Sequence, residues 1–357
     1  VIVTAQRREE NIQSVPVAIT AFDNNSLREQ NITSPLDLNG RVPGVTVGNG
    51  GQQRNGEVVT IRGQGQTYLS PVGVVNYFAE VPLIQSGVMA NQGGPGTFWD
   101  LSSLQVLRGP QGTLFGRNTP AGVVKFDSAK PSQRQDGYAS VSAGRYGMLN
   151  LEGAFNLPLS GDWSARISAL HQRRDDWVKN SYVNAKTQET EGYSDTALRL
   201  QALYAPHKQF SALLNLHHRD LDGSPRLFRA NIIKPGSNEL VDGFRPDRVA
   251  FDGVNEQTLT QTGGSARLKW SLDGFDLYSV TGYESVKPFS RGDIDGGYGA
   301  SFLPEMGPGF IPFPVETSDA LRGHRQLSQE LRLESTVRGG FKWQAGAYLF
   351  DEKYDVV

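Results

Sequence analysis

At 357 residues, with no cysteine and a formal net charge of −2, the chain has neither the thiols of a disulfide scaffold or thiolate metal site nor the general basic field that attracts nucleic acid. Mean hydropathy is −0.41 and no run reaches the ~18 apolar residues of a membrane-spanning helix. That leaves a membrane barrel open, because spanning strands alternate apolar with polar residues and so keep mean hydropathy low.

Taken in order, Val1-Ile2-Val3-Thr4-Ala5 is a short β-branched run. It suits either an ordinary first strand or a segment that adds to the sheet edge of a partner. Residues 15–22 read as a strand, 23–30 and 35–38 as short helices, 43–47 and 58–63 as strands, and 98–107 as a short helix running into a strand. This is the pattern of a small α+β domain, ending near residue 131. Between its strands lie loops that carry Gln52, Gln53 and Arg54, then Tyr68, then Met89, Phe98 and Trp99. Amides beside exposed aromatics suit a small polar ligand with some apolar surface, and equally suit plain loop apices.

Residues 107–122 are dense in glycine, with Arg108-Gly109-Pro110, Gly112, Phe115-Gly116-Arg117-Asn118 and Gly122. Such a run favours tight turns and close chain approach over an amphipathic helix. It is no phosphate loop, since Gly112 and Gly116 are one residue too close and Arg117-Asn118 stands where Lys-Ser/Thr is needed.

From about residue 136 the grammar changes. Leu149, Leu151, Phe155 and Leu157 alternate with polar or small residues, as do Trp163, Ala165 and Ile167, then Leu198, Leu200 and Tyr204, then Ala266, Leu268 and Trp270, then Leu327, Leu331 and Leu333, then Phe341, Trp343 and Leu349. Period two marks strands with one apolar face. Short connections near 158–161, 206–208, 272–274 and 338–340 alternate with long polar ones near 174–193, 220–256 and 287–323. Trp163, Tyr204, Phe210, Trp270, Phe275, Phe341 and Trp343 all fall beside the short turns. Aromatics sorted to one height, with short turns at one end, favour an outer-membrane barrel over a soluble sandwich.

His217-His218 are adjacent on a strand, so their rings face opposite ways and cannot share a metal. Asp293-Ile294-Asp295-Gly296 begins like a calcium loop, but Pro304 occupies its twelfth position. No nucleophile elbow or zinc-protease motif occurs, and no metal, cofactor or enzymatic role is expected.

Residues 107–122 resemble the plug-domain signature of TonB-dependent outer-membrane receptors. Residues 6–22, with Arg7-Arg8-Glu9-Glu10 and Val15-Pro16, are similar to that family's opening, and Ser328-Gln329-Glu330-Leu331-Arg332-Leu333 resembles one of its barrel strands. Ala79-Glu80 departs from the family pattern, replacing the usual Asp-Gly turn.

The resemblance implies an α+β plug over residues 1–131, with Val1–Ala5 as the remnant of a TonB box, and antiparallel transmembrane β-barrel strands over 136–357. About nine strands of a barrel of about 22 are expected, so the chain reads as the N-terminal part of a longer protein with both ends cut. The resemblance further implies outer-membrane lipid around the strands, TonB as partner, and a small-molecule cargo. Siderophore-bound iron, cobalamin, a glycan or an aromatic compound all fit. Arg62 and Arg108 match plug arginines that face acidic groups on the barrel wall in this family, and Glu330, on the polar face of its strand, is the candidate partner. A signalling receptor and a non-transporting surface β protein remain as alternatives.

Overall fold

Alternation builds most of this molecule. The computed structural model describes residues 2–8, 10–49, 54, 57–65, 72–84, 98–229, 232–294, 315–337 and 341–356. Ile2–Val3 (β1) pairs antiparallel with Glu10–Asn11 (β2). There follow Ala18–Asp23 (β3), Asn24–Glu29 (α1), Val45–Asn49 (β4), Glu57–Ile61 (β5), Gln64–Gly65 (β6), Val74–Phe78 (β7), Val81–Pro82 (β8), Leu101–Arg108 (β9), Gly112–Phe115 (α2) and Gly122–Ser128 (β10). One sheet runs β3-β9-β10-β7-β8 and a second β4-β5-β6. The pair β10–β7 is parallel and its neighbours are antiparallel.

The core of this N-terminal module collects Phe22, Leu27, Leu38, Ile61, Leu104, Val106 and Phe126. A second cluster joins Val3 and Ala5 to Tyr77, Leu107, Phe115 and Val123. The N-terminal run is therefore packed into the module.

The helix expected at the start of 98–107 does not form; the segment is a strand from Leu101 onward. Asp100 sits at φ +49, which breaks any helix there, and the Phe98 N–H donates instead to the Thr33 carbonyl at 2.6 Å.

Asp37 fastens the short turn Pro35–Leu38. Its carboxylate accepts from the Thr33 N–H and the Ser34 N–H, both at 2.9 Å, and from both hydroxyls. Burial pushes the carboxyl up, but these four bonds outweigh it and hold the group below its ordinary value. A depressed carboxyl stabilises the fold above its unfolded pKa and loses that contribution as pH falls through the folded value. Replacement of Asp37 by Ala is expected to cost the module about 1 kcal/mol at neutral pH. Its stability should then vary less with pH below 4 than the parent's, as acid titration followed by circular dichroism will show.

The wall begins with Asp136–Ala143 (β11), Leu149–Pro158 (β12), Trp163–Arg174 (β13), Val178–Asn180 (β14), Glu189–Thr190 (β15), Tyr193–His207 (β16) and Phe210–Gly223 (β17). It continues with Arg248–Val249 (β18), Glu256–Leu272 (β19), Phe275–Asp293 (β20), Glu316–Ser335 (β21) and Gln344–Val356 (β22). Nine of these form one sheet, β11-β12-β13-β16-β17-β19-β20-β21-β22, antiparallel throughout. Among the described residues β11 and β22 each have one bonded neighbour, so the sheet is an open part of a barrel.

Its faces are inverted relative to a soluble sandwich. Leu151, Phe155, Ile167, Leu198, Leu200, Leu214, Leu216, Leu327 and Leu331 point away from the N-terminal module and are exposed. Asn156, Ser168, Arg199, Gln201, Asn215, Gln261 and Gln326 are buried on the inner side. Apolar outside and polar inside is the arrangement lipid demands.

The aromatic girdle is continuous across strands. Trp163 stacks on Tyr204 at 4.7 Å, Tyr204 meets Phe210 at 6.2 Å, and Phe210 meets Trp270 at 4.9 Å between ring centroids.

All three long connections differ from expectation. The one read as 287–323 is shorter, because β20 runs on to Asp293 and β21 starts at Glu316. Strands β19, β20 and β21 hold 17, 19 and 20 residues, whereas a spanning strand needs about 9–11. The surplus stands in water on both sides, where a ladder needs no apolar face, so the sequence there reads as loop. The connections near 174–193 and 220–256 are also more ordered than polarity suggests: β14 pairs with β15 and runs parallel to β18, joining two loops in a small sheet.

Candidate functional site

The chemistry-bearing residues gather where the N-terminal module meets the wall. The hairpin β7–β8 turns through Ala79, at φ +54, and Glu80. The Glu80 carboxylate receives Arg267 Nε at 2.8 Å and Arg332 Nη2 at 3.0 Å, both from wall strands. Arg332 also holds Glu330 at 2.5 Å. Burial resists ionisation of Glu80, but Arg267, Arg332, Arg7 and Lys125 hold its carboxyl far below the usual range.

The N-terminal segment is tied into the same node. Arg7 Nη1 donates to the Glu80 carbonyl at 3.3 Å and lies 3.9 Å from Glu330. Its guanidinium stands over the rings of Tyr77 at 5.0 Å and Phe115 at 4.4 Å. Next to it, Arg8 reaches Glu334 at 3.5 Å. Upstream, the Thr4 N–H donates to Gln105 Oε1 at 2.9 Å, while Lys125 donates to the Thr4 hydroxyl and to Asp127. Residues 2–8 thus lie against the module under a polar clasp and an ion-pair node shared with the wall.

Other contacts seat the module. Asp100 grips Arg166 through both oxygens, at 2.5 and 2.9 Å. Gln326 donates to the Pro82 carbonyl at 2.6 Å, and Arg117 pairs with Glu352, which His324 also contacts at 2.9 Å. At the long-loop end, Arg54, Arg174 and Arg226 converge on Glu191 at 3.3, 3.6 and 3.0 Å. Burial and the neighbouring Arg226 push the Arg54 guanidinium down to about 10, against the pull of Glu191.

The structure does not bring Arg62 and Arg108 to Glu330. Arg108 donates to the Pro43 carbonyl at 3.1 Å, the Arg62 N–H donates to the Gly44 carbonyl at 2.7 Å, and Glu330 belongs to Arg332 and Arg7. Glu80 and Asp100 are acids of the module that meet wall arginines, Glu80 through Arg267 and Arg332 and Asp100 through Arg166. Sequence reasoning missed Glu80; the signals that could have found it are an acid in a tight turn and arginines at polar positions of alternating strands, which need partners once buried.

Phe98 and Trp99 are also not exposed apices. Phe98 packs on Phe126 at 5.1 Å, and Trp99 is 7% exposed beside Leu170 and Ala197 of the wall. Val1, Gln52, Gln53, Tyr68 and Met89 lie outside the described residues.

In the glycine-rich run, Gly109, Gly116 and Asn118 take positive φ of +105, +75 and +65. Pro110 leads into α2, which spans Gly112 to Phe115. Arg117 lies over Phe350 at 4.7 Å, and Gly122 opens β10. His217 and His218 face opposite ways, the first toward Glu284 at 3.1 Å and the second toward Asp220 at 2.7 Å.

Residues 11–123 match the family described as TonB-dependent Receptor Plug Domain. That segment is a plug domain of the kind found in TonB-dependent receptors. Among curated relatives of this chain, the vitamin B12 transporter BtuB of Vibrio vulnificus is 26% identical over 150 residues, which cover 40% of this chain and 23% of that protein. The ferrioxamine receptor of Yersinia enterocolitica is 24% identical over 246 residues, 68% of this chain and 31% of that protein.

Solved structures share the fold at low identity. The ferric yersiniabactin uptake receptor FyuA of Yersinia pestis superposes with a TM-score of 0.71 at 16% identity, over 95% of this chain and 50% of that one. The siderophore receptor PiuA of Acinetobacter baumannii does so at 0.74 and 15%, over 99% and 47%. The chain thus spans about half the length of these structures. Its strands share the fold of the first part of their barrels.

Proposed function

We propose that the receptor imports a scarce nutrient across the outer membrane, with residues 1–131 as a plug inside a wall begun by 136–357. Siderophore-bound iron, cobalamin, a glycan or an aromatic compound remains the range of cargo. Cargo bound at the long-loop end releases the N-terminal segment, TonB captures it, and the inner-membrane motor behind TonB displaces part of the plug. The reaction is recognition and gating, with no bond broken. The observation that carries this reading is the clasp on residues 2–8: a β-branched run held by Gln105, Lys125 and the node of Arg7, Glu80, Glu330 and Arg332. The segment is seated by two small apolar anchors, Val3 and Ala5, and by a buried polar node. Its ladder with β2 is only two residues long, so few contacts have to break together for it to be withdrawn.

The test is uptake of a panel of labelled ferric siderophores, cobalamin, oligosaccharides and aromatic acids by cells that carry the receptor. One class should enter. Entry should stop when TonB is deleted, or when Val3→Pro removes a donor from the segment that pairs with the partner's sheet, while surface binding persists. Entry that continues without TonB, or failure to bind any class, defeats the proposal.

A further inference from the structure

Among the described residues, Arg166, Arg199, Arg219, Arg267 and Arg332 of the wall strands lie on the inner side, along the body of the plug. Four have carboxylates at hydrogen-bond distance: Asp100 for Arg166, Asp195 for Arg219, and Glu80 for both Arg267 and Arg332. Arg199 has none among the described residues. It lies midway along β16 and is 6% exposed.

Its guanidinium stands over two plug rings, Phe78 at 4.7 Å and Trp99 at 4.1 Å. Nη1 reaches the Trp99 carbonyl at 3.5 Å, and Nε has no partner among the described residues. Asp100 acts on it from a distance but already spends both oxygens on Arg166.

A cavity of about 60 Å3 lies against this side chain. The plug supplies its apolar side, with Leu83, Phe98 and Phe126, and the wall supplies Arg199, His217 and Gln261. A space of this size holds a few waters or one carboxylate-sized group.

A buried guanidinium without a counter-charge is a costly arrangement, and aromatic faces offset only part of the cost. The guanidinium fork matches a carboxylate, and the aromatic floor matches a short apolar remainder.

We propose that this cavity is an anion subsite between plug and wall, which takes one carboxylate-bearing group of the solute with its apolar part against the plug. The link to cargo rests on the uptake reading above; the binding itself needs neither TonB nor an energised membrane.

The experiment is a sodium bromide soak of crystals of the detergent-solubilised receptor. An anomalous peak is expected within hydrogen-bond reach of the Arg199 guanidinium. Excess acetate should displace it, Arg199→Gln should reduce it to noise, and Arg199→Lys should keep it. Heat-modifiable migration on gels checks that each variant retains its barrel. A missing peak in the parent protein, a peak that acetate leaves in place, or one that survives Arg199→Gln overturns the proposal, and peaks at surface lysines alone, an adventitious ion only, do so equally. Loss of TonB-dependent uptake with the bromide site intact would sink the uptake reading instead, so the two failures are distinguishable.

Discussion

Replacing Glu80 by Ala should unseat the plug while leaving the barrel folded. The substitution removes the acid shared by Arg267 and Arg332 and leaves one buried and one half-buried guanidinium close together near Arg7. Removing one partner of a buried ion pair typically costs about 3–5 kcal/mol, and here one carboxylate serves two partners. Hydrogen exchange should therefore speed up in β7, β8 and residues 2–8, with the wall strands unchanged. Trypsin should reach Arg7 and Arg8 sooner.

Acid will not mimic the mutation in any ordinary range. A carboxyl held far below its usual value keeps its contribution until pH falls through that lowered value. A double replacement of Arg267 and Arg332 by Met in the Glu80→Gln background should restore much of the lost seating, since an apolar substitute for a buried ionic cluster is often close to neutral. Unchanged exchange in Glu80→Ala would show that the node is ornamental.

Gly122→Ala should be worse, and for a different reason. A Cβ at Gly122 falls on the Leu107 carbonyl oxygen, and 2.7 Å from Ile61 Cδ1. The oxygen belongs to the partner strand β9, paired residue for residue with β10, so neither side can yield without breaking the central ladder of the plug. A loss above about 4 kcal/mol is expected, read as absent protease-resistant plug and poor insertion. Gly112→Ala, ten residues away in the same run, meets nothing within 4 Å and carries no positive φ. It should change stability by less than about 0.5 kcal/mol. If the two variants behave alike, the packing argument for Gly122 fails.

Much of the architecture was legible because its physics is local. Period-two patterning located the strands, the crowding of Trp163, Tyr204, Phe210 and Trp270 beside short turns marked a membrane rim, and Asp23 marked a helix start that the structure places at Asn24. The site was legible only in parts. Glu80 and Arg332 lie 252 positions apart, and nothing in either neighbourhood names the other. Family likeness directed attention to Arg62 and Arg108, whereas the wall selects partners by geometry, and the acid between Arg267 and Arg332 is Glu80 in the turn after β7. Phe98 and Trp99 read as exposed because they follow a glycine-rich loop; Trp99 is buried by β13 and β16 and Phe98 by Phe126 of β10, which sequence order cannot place beside them.

The order of strands in the plug sheet has a mechanical consequence. Tension applied near residue 2 first meets β1, whose ladder with β2 is two residues long. The next strand along the chain, β3, sits at the sheet edge and is bonded on one side only, to β9. The central pair β9–β10 is flanked on both sides. A pull from that end therefore unzips the module stepwise from its margin, one short ladder at a time. The middle of the sheet, bonded on both sides, is the last part that such a pull would reach.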